Sequence, residues 1–179
     1  MATLKDPVTL RDHAKGPANA PVTLLEYGDY ECPYCGLAHP IVKLIQQHFG
    51  PRLRFVFRHF PLSQAHPNAE SAAQTAEFAG AHGKFWEMHD QLYDNQERLG
   101  LPLYFALAGV LGLSELELRE SLIERTFAPK VHADFLSGAR SGVNGTPCFF
   151  INGVRHDGTY AFEDLGGAIE LALRANVSV

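Results

Sequence analysis

Cysteine is scarce in this chain of 179 residues: the three present are too few for the disulfide framework of a small secreted domain. Long hydrophobic runs are missing as well. The most apolar segment, LPLYFALAGVLGL at 101–113, falls short of the roughly 20 residues a membrane span needs and reads as the hydrophobic centre of a helical region. Positive charge is short: 15 Lys and Arg stand against 20 Asp and Glu, and the net charge of −5 with no basic patch argues against a nucleic-acid partner. The N-terminus, MATLKDPVTLRDHAKGP, has neither a signal-length apolar run nor a cleavage site. A soluble cytoplasmic protein with no membrane partner is expected, or a periplasmic or secreted one if a signal has been removed. Repeats, low-complexity tracts and flexible linkers are also absent.

What is present is ample hydrophobic content, 46% of residues, enough to bury a core in one domain or in one domain with a large insertion. PVTLLEY (21–27) is apolar and partly β-branched, and reads as a buried strand. Leu37, Ile41, Leu44, Ile45 and Phe49 then recur at helical spacing, which predicts a helix from about Cys32 to Phe49. Pro33 suits its first position, Pro40 should kink it, and Gly50-Pro51 ends it. RLRFVFRHF alternates, with Leu53, Phe55 and Phe57 on one face and Arg52, Arg54, Val56 and Arg58 on the other. That arginine face reads as solvated or helix-covered rather than as an anion site. Strand, helix and strand make a βαβ unit.

From Ser63 to Gly142 the period turns helical. Ala69, Ala72, Ala73 and Ala76 form one stripe, Phe85, Met88, His89 and Leu92 another, and Ser114 with Glu117 forms a capping box. About four helices are expected here. Strand character returns at PCFFINGVRHDG, where Asn152-Gly153 is a strong hairpin signal, and a helix from about Phe162 to Ala175 closes the chain.

Two of the three cysteines, Cys32 and Cys35, sit three apart at the predicted helix start; the third, Cys148, is remote. A Cys-x-x-Cys pair in that setting suits disulfide exchange. The thiolate is the nucleophile, and the unsatisfied N–H groups of a helix N-terminus lower a thiol pKa from about 8.5 into the range of about 3.5–7.5. Cys35, one turn later and less exposed, can attack a mixed disulfide on Cys32 and release the partner. Glu26 lies six residues earlier near the end of the first strand; buried beneath the pair it would have a raised pKa and relay the proton of Cys35. Pro147 precedes the hairpin, where a cis peptide would leave neighbouring backbone groups free to hold an extended peptide.

EYGDYECPYC, the order βαβ, helical block, ββα, and GTPCFFING together resemble the DsbA-like branch of the thioredoxin superfamily, from about Pro21 onward. The resemblance implies an α/β thioredoxin fold, with residues 1–62 and 143–179 as the thioredoxin-like domain and 63–142 as an inserted helical domain. It implies a protein-disulfide oxidoreductase with Cys32 as attacking thiol, Cys35 as resolving thiol, Glu26 as buried acid, and Thr146 before a cis Pro147. Pro33, Tyr34, Thr146 and Pro147 would contact substrate, in a groove between the two domains near Pro147. Partners would be proteins or peptides bearing disulfides or thiols, with a separate redox partner. No organic cofactor is implied, since electrons pass through the dithiol. Two features depart from the pattern: Tyr34 stands where periplasmic oxidases of this branch more often have His, and Cys148 follows the proline directly. CPYC is also the glutaredoxin tetrapeptide.

Other readings stay open at this level. One is a glutathione-dependent reductase of the same superfold. Another is a metal-binding protein using Cys32, Cys35 and Cys148, with His39 completing four ligands. Cys148 itself reads first as a small buried hydrophobe. Asp29 and Glu31 are expected to be solvated loop acids. The nine histidines show no HxxH spacing and read as scattered surface or core residues.

Overall fold

The computed structural model describes residues 2–177. Five strands, β1 (His13–Lys15), β2 (Val22–Gly28), β3 (Leu53–His59), β4 (Cys148–Ile151) and β5 (Val154–Arg155), form one sheet in the order β1-β3-β2-β4-β5. The parallel pair β2–β3 is joined by α1 (Pro33–Phe49), and the other pairings are antiparallel. Asn152 and Gly153, both at positive φ (48° and 79°), make the tight β4–β5 turn. Pro40 lies on the exposed side of α1, and the helix runs through it to Phe49.

Between β3 and β4 come α2 (Ala69–Ala81), α3 (Phe85–Asp94), α4 (Leu101–Val110), α5 (Glu115–Glu124) and α6 (Ala128–Arg140); α7 (Phe162–Val177) follows β5. The helical block thus holds five helices where the apolar period suggests about four. The extra break falls at Arg125, which caps α5 in the left-handed conformation (φ 55°), a position usually given to glycine and therefore silent in the sequence. Ser114 Oγ accepts from Glu117 N–H at 3.2 Å and starts α5 as the capping box predicts.

Alternation along the strands sorts the core into two layers. Leu24, Phe55, Phe57, Phe149 and Ile151 face a large cluster built with α1, α7 and the helices α2–α4. Leu25, Tyr27, Val56, Cys148 and Phe150 face a smaller one closed by Phe60, Val143 and Phe135 of α6. Arg58 enters this second side. Its buried guanidinium binds Asp12, the carbonyls of Asp6 and Pro7, Tyr27 Oη and Ser137 Oγ, which ties the N-terminal segment across the sheet.

A second buried charge sits where α2 meets β1 and β3. Glu77 Oε1 accepts from His13 Nε2 (2.9 Å) and His59 Nε2 (2.8 Å), and Lys130 Nζ stands 3.9 Å away. Burial alone would raise the Glu77 carboxyl, but the two histidine hydrogen bonds and their charge hold it well below the usual carboxylate range. Such a group stabilises the fold above its unfolded pKa, and the stabilisation drains away as pH falls below about 4.5. Glu77→Ala strips the partner from the buried His59 and the part-buried His13 imidazoles and should cost about 3–5 kcal/mol in urea unfolding at pH 7. The gap to the parent should narrow at pH 3; equal stabilities at pH 7 would show the cluster to be energetically idle.

Candidate active site

The dithiol stands where β2 hands over to α1. Cys32 is the N-cap of the helix and Pro33 its first residue, so the Cys32 sulfur meets backbone N–H groups that have no intrahelical partner. Its backbone is fastened on both sides: Cys32 N–H donates to Asp29 O (3.2 Å), and Cys32 O accepts from Gly36 N–H (3.1 Å). Gln96, from the short 3₁₀ turn after α3, donates from Nε2 to the carbonyls of both Tyr30 and Cys32 at 2.8 Å. Gly36 permits this approach, because a Cβ there would collide with the Gln96 side-chain amide.

Thr146 and Pro147 face the same sulfur. The Thr146–Pro147 peptide is cis, and Cys32 Sγ lies 3.3 Å from Thr146 O. The Thr146 hydroxyl is buried without another hydrogen-bond partner, and so is available to the thiolate. Tyr34 and Pro33 are exposed beside the sulfur, and Leu37, one turn on, extends the apolar surface.

The two thiols are set apart electrostatically. Hydrogen bonding from Cys35 holds the Cys32 thiol down to about 5; burial opposes this, while the Thr146 hydroxyl and the N–H groups of Cys35 and Tyr34 add to it. Burial pushes Cys35 well above the ordinary thiol range, helped by its hydrogen bond to Cys32 and by the charges of Glu26 and Cys32. Near neutral pH one sulfur is a thiolate and the other a thiol.

Glu26 is 3% exposed and lies on the same face of β2 as Leu24, paired in register with Phe57 and Phe149. Burial among these rings, with a further push from the Cys32 charge, raises its carboxyl to about 8. No ion pair reaches it among the described residues.

Asp29 and Glu31 correct the expectation of solvated loop acids. Asp29 is buried and accepts from Glu31 N–H, Leu62 N–H (2.9 Å) and His66 Nδ1 (2.7 Å). Glu31 accepts from the backbone N–H and the side-chain amide of Asn68. Both acids clamp the loop before Cys32 to the segment after β3, whose donors lie more than 30 residues away in sequence and so leave no local signal. Burial opposes protonation of His66, yet the bond to Asp29 and the nearby negative charges raise its pKa, which puts cationic character beside the dithiol.

Cys148 does not join the pair. Its side chain packs in the smaller cluster with Tyr27, Val56 and Phe150, across the sheet from the cluster holding Cys32 and Cys35. Burial raises its thiol above the ordinary range. Among the described residues no group of three close metal-ligating atoms includes a cysteine, so the ligand set Cys32, Cys35, Cys148 and His39 is not assembled. The strand period explains this: Cys148 opens β4 on the side of Phe150, opposite that of Phe149.

Two depressions flank the site. A groove of about 960 Å³ runs between the segment after β3 and α6, lined by Leu62, Ala65, Arg125, Pro129, Val131 and Phe135. A smaller one of about 340 Å³ lies at Pro147 against His156 and Tyr160, on the β4–β5 side rather than against the helical block.

A βαβ…ββα sheet with a helical block between its halves, and a Cys-x-x-Cys at the first helix N-terminus facing a cis-proline loop, define a DsbA-like member of the thioredoxin superfamily. A family model described as Thioredoxin matches residues 9–171, and the chain belongs to that family. Of solved structures, it superimposes on BdbD from Bacillus subtilis with a TM-score of 0.87 and 25% identity over 97% of this chain and 98% of that one. The Wolbachia pipientis alpha-DsbA1 structure gives a TM-score of 0.83 at 19% identity, over 96% of this chain and 95% of that one. Among curated sequences, a protein of Salinispora arenicola named Na(+)/H(+) antiporter NhaA 1 is 46% identical over 162 residues, 90% of this chain and 25% of the relative. The chain spans about a quarter of the length of the curated relatives it matches.

These matches overturn the expected cytoplasmic location. A segment like this one occurs within proteins named for ion antiport, so the character of the first residues assigns no compartment. No helix among the described residues is long and apolar enough to cross a membrane.

Proposed function

We propose that this chain catalyses thiol–disulfide exchange on protein or peptide substrates through Cys32 and Cys35. The observation that carries the reading is the split between the two sulfurs, Cys32 held down to about 5 and Cys35 raised by burial, at one helix N-terminus. The Cys32 thiolate attacks one sulfur of a substrate disulfide, forms a mixed disulfide and expels the other sulfur as thiolate. The ionised fraction of Glu26, enlarged once the mixed disulfide removes the Cys32 charge, takes the proton of Cys35, which attacks Cys32 Sγ, closing the Cys32–Cys35 disulfide and releasing the second substrate thiolate. Two electrons move from the dithiol to the substrate; the same steps run backwards donate a disulfide. Thr146 and Pro147 hold an extended peptide across the sulfur, and the apolar Pro33, Tyr34 and Leu37 surface receives its side chains. The groove floored by Val131 and Phe135 extends that surface, since its Leu62 edge is bonded directly to Asp29.

A thiolate stabilised in the reduced form makes the disulfide more oxidising. Relatives whose attacking thiols have pKa values of about 7 and about 3.5 have potentials of about −270 and −120 mV, so a value between these is expected here. Equilibration in glutathione buffers, read by alkylation mass shifts, measures it, and the alkylation rate against pH should give a midpoint near 5. Cys148→Ser should leave both readouts unchanged, because that thiol lies across the sheet. Failure to form a Cys32–Cys35 disulfide at any glutathione ratio would end the exchange reading.

A further inference from the structure

His39 follows Cys35 by one turn of α1, and its imidazole turns inward toward α3, where His89 and Asp90 are neighbours. One ligand atom from each of these three residues lies within 4.8 Å of the others. We propose that His39, His89 and Asp90 form a binding site for a divalent transition-metal ion of the zinc type, separate from the dithiol. The proposal does not depend on the exchange chemistry.

The geometry is suited to such an ion. Two ligands about 2.0–2.1 Å from a tetrahedral zinc are themselves separated by about 3.4 Å, and His39 Nε2 lies 3.4 Å from Asp90 Oδ1. Two imidazoles and one carboxylate, with a fourth position left for water, are a donor set that zinc accepts. His39 Nε2 is buried without a hydrogen-bond partner, a state that buried nitrogen rarely keeps unless something else satisfies it.

The rings are held for the purpose. His39 stacks on Tyr93 at 4.8 Å and meets His89 edge-on at 5.3 Å, while the Tyr30 hydroxyl, 2.9 Å from His89 Nδ1, fixes the second ring. That hydroxyl is the kind of outer partner that orients a ligating imidazole. Entry is from the Asp90 side, which is partly exposed. Lys43 holds only the other oxygen, Oδ2, at 3.2 Å, and its half-exposed side chain is free to move into solvent.

The cluster of His59, Glu77 and Asp134 has similar spacing but a different character. There Lys130 Nζ sits 2.6 Å from both Asp134 oxygens, and Glu77 already accepts from two histidines. An internal cation occupies the place an ion would take. At His39 the corresponding nitrogen makes no hydrogen bond, standing 3.4 Å from Asp90 Oδ1, and the nearby Lys43 holds only the other carboxylate oxygen.

Zinc chloride titrated calorimetrically into the full chain, with the Cys32–Cys35 disulfide formed so that those thiols cannot ligate, tests the site. One zinc per chain is expected, and cobalt(II) in its place should show tetrahedral d–d absorption without a thiolate charge-transfer band. His39→Gln should weaken zinc binding by at least about 10-fold, while His132→Gln, at an exposed position, should leave it unchanged. If His39→Gln fails to fold, Asp90→Asn gives the same readout at a half-exposed residue. No stoichiometric zinc uptake by the parent chain, or equal affinity in the parent and the folded variant, overturns the proposal.

Discussion

A Cys32→Ser chain should lose insulin reduction altogether, and a reduced Cys35→Ser chain should accumulate as a mixed disulfide with disulfide-bearing peptides, expelling the other peptide sulfur as thiolate. The two variants remove different halves of one cycle. Without Cys32 the helix N-terminus has no sulfur that is ionised near neutral pH, because burial pushes the Cys35 thiol well up. Deleting the nucleophile of a covalent cycle costs roughly 10³-fold or more in turnover, so the residual rate should fall to that of the assay reductant. Without Cys35 the first step survives and the second is lost, so the Cys32 adduct persists until outside thiol cleaves it. Nonreducing electrophoresis after reaction with a disulfide-linked peptide reads the adduct, and mass spectrometry assigns it to Cys32. Retained turnover in Cys32→Ser would move the chemistry to another residue. A Cys35→Ser chain that turns over normally would mean that an external thiol such as glutathione does the resolving, as the glutathione-dependent alternative requires.

Parts of the site built from neighbouring residues could be read in the sequence. Cys32, Pro33 and Cys35 lie on one helix N-terminus, and the periods on either side, 2.0 in β3 and 3.6 in α1, report on burial within a few residues. The hairpin at Asn152-Gly153 is equally local. Parts built from distant residues could not. Gln96 holds the Cys32 carbonyl from 64 residues away, and nothing in the short segment QER marks it. His13, His39, His59 and His89 are scattered along the chain, yet they converge on one aromatic cluster, His13, His59 and His89 against Tyr30, Phe57 or Phe85 and His39 against His89 and Tyr93, because helices α1 and α3 and strands β1 and β3 all pack there. The strand β1 is three residues long and carries a His and a Lys, so neither period nor composition announces it; it forms because β3 offers an open edge. Buried polar groups are the common factor in what was hidden. Their partners come from tertiary contacts, which leave no period.

Replacing Glu26 by Leu should make the reduced chain more stable, by an amount that grows with pH. A carboxyl with an unfolded pKa of 4.5 and a folded value of about 8 keeps its proton in the native state over a range where the unfolded chain has lost it. The native state therefore binds more protons between these values, and stability falls as pH rises through that window and levels off above it. At 1.36 kcal/mol per pKa unit, the burden is near zero at pH 4, about 3 kcal/mol at pH 7 and about 5 kcal/mol above pH 8. Leu removes it and packs against Phe57 and Phe149, the register partners of Glu26. Part of the shift comes from the Cys32 thiolate and part, the larger, from burial. In a Cys32→Ser background the window should accordingly shrink at its upper end without closing. Urea midpoints across pH 4–9 for the four chains separate the two contributions. A Leu variant less stable than the parent at pH 8 would mean that Glu26 stabilises the fold as a charge. The same substitution should slow resolution while sparing the first attack, because only the Cys35 step passes a proton to Glu26. The strand thus bears a destabilising acid at neutral pH where the proposed reaction needs a base, and stability gained by Glu26→Leu would be matched by a loss in exchange rate.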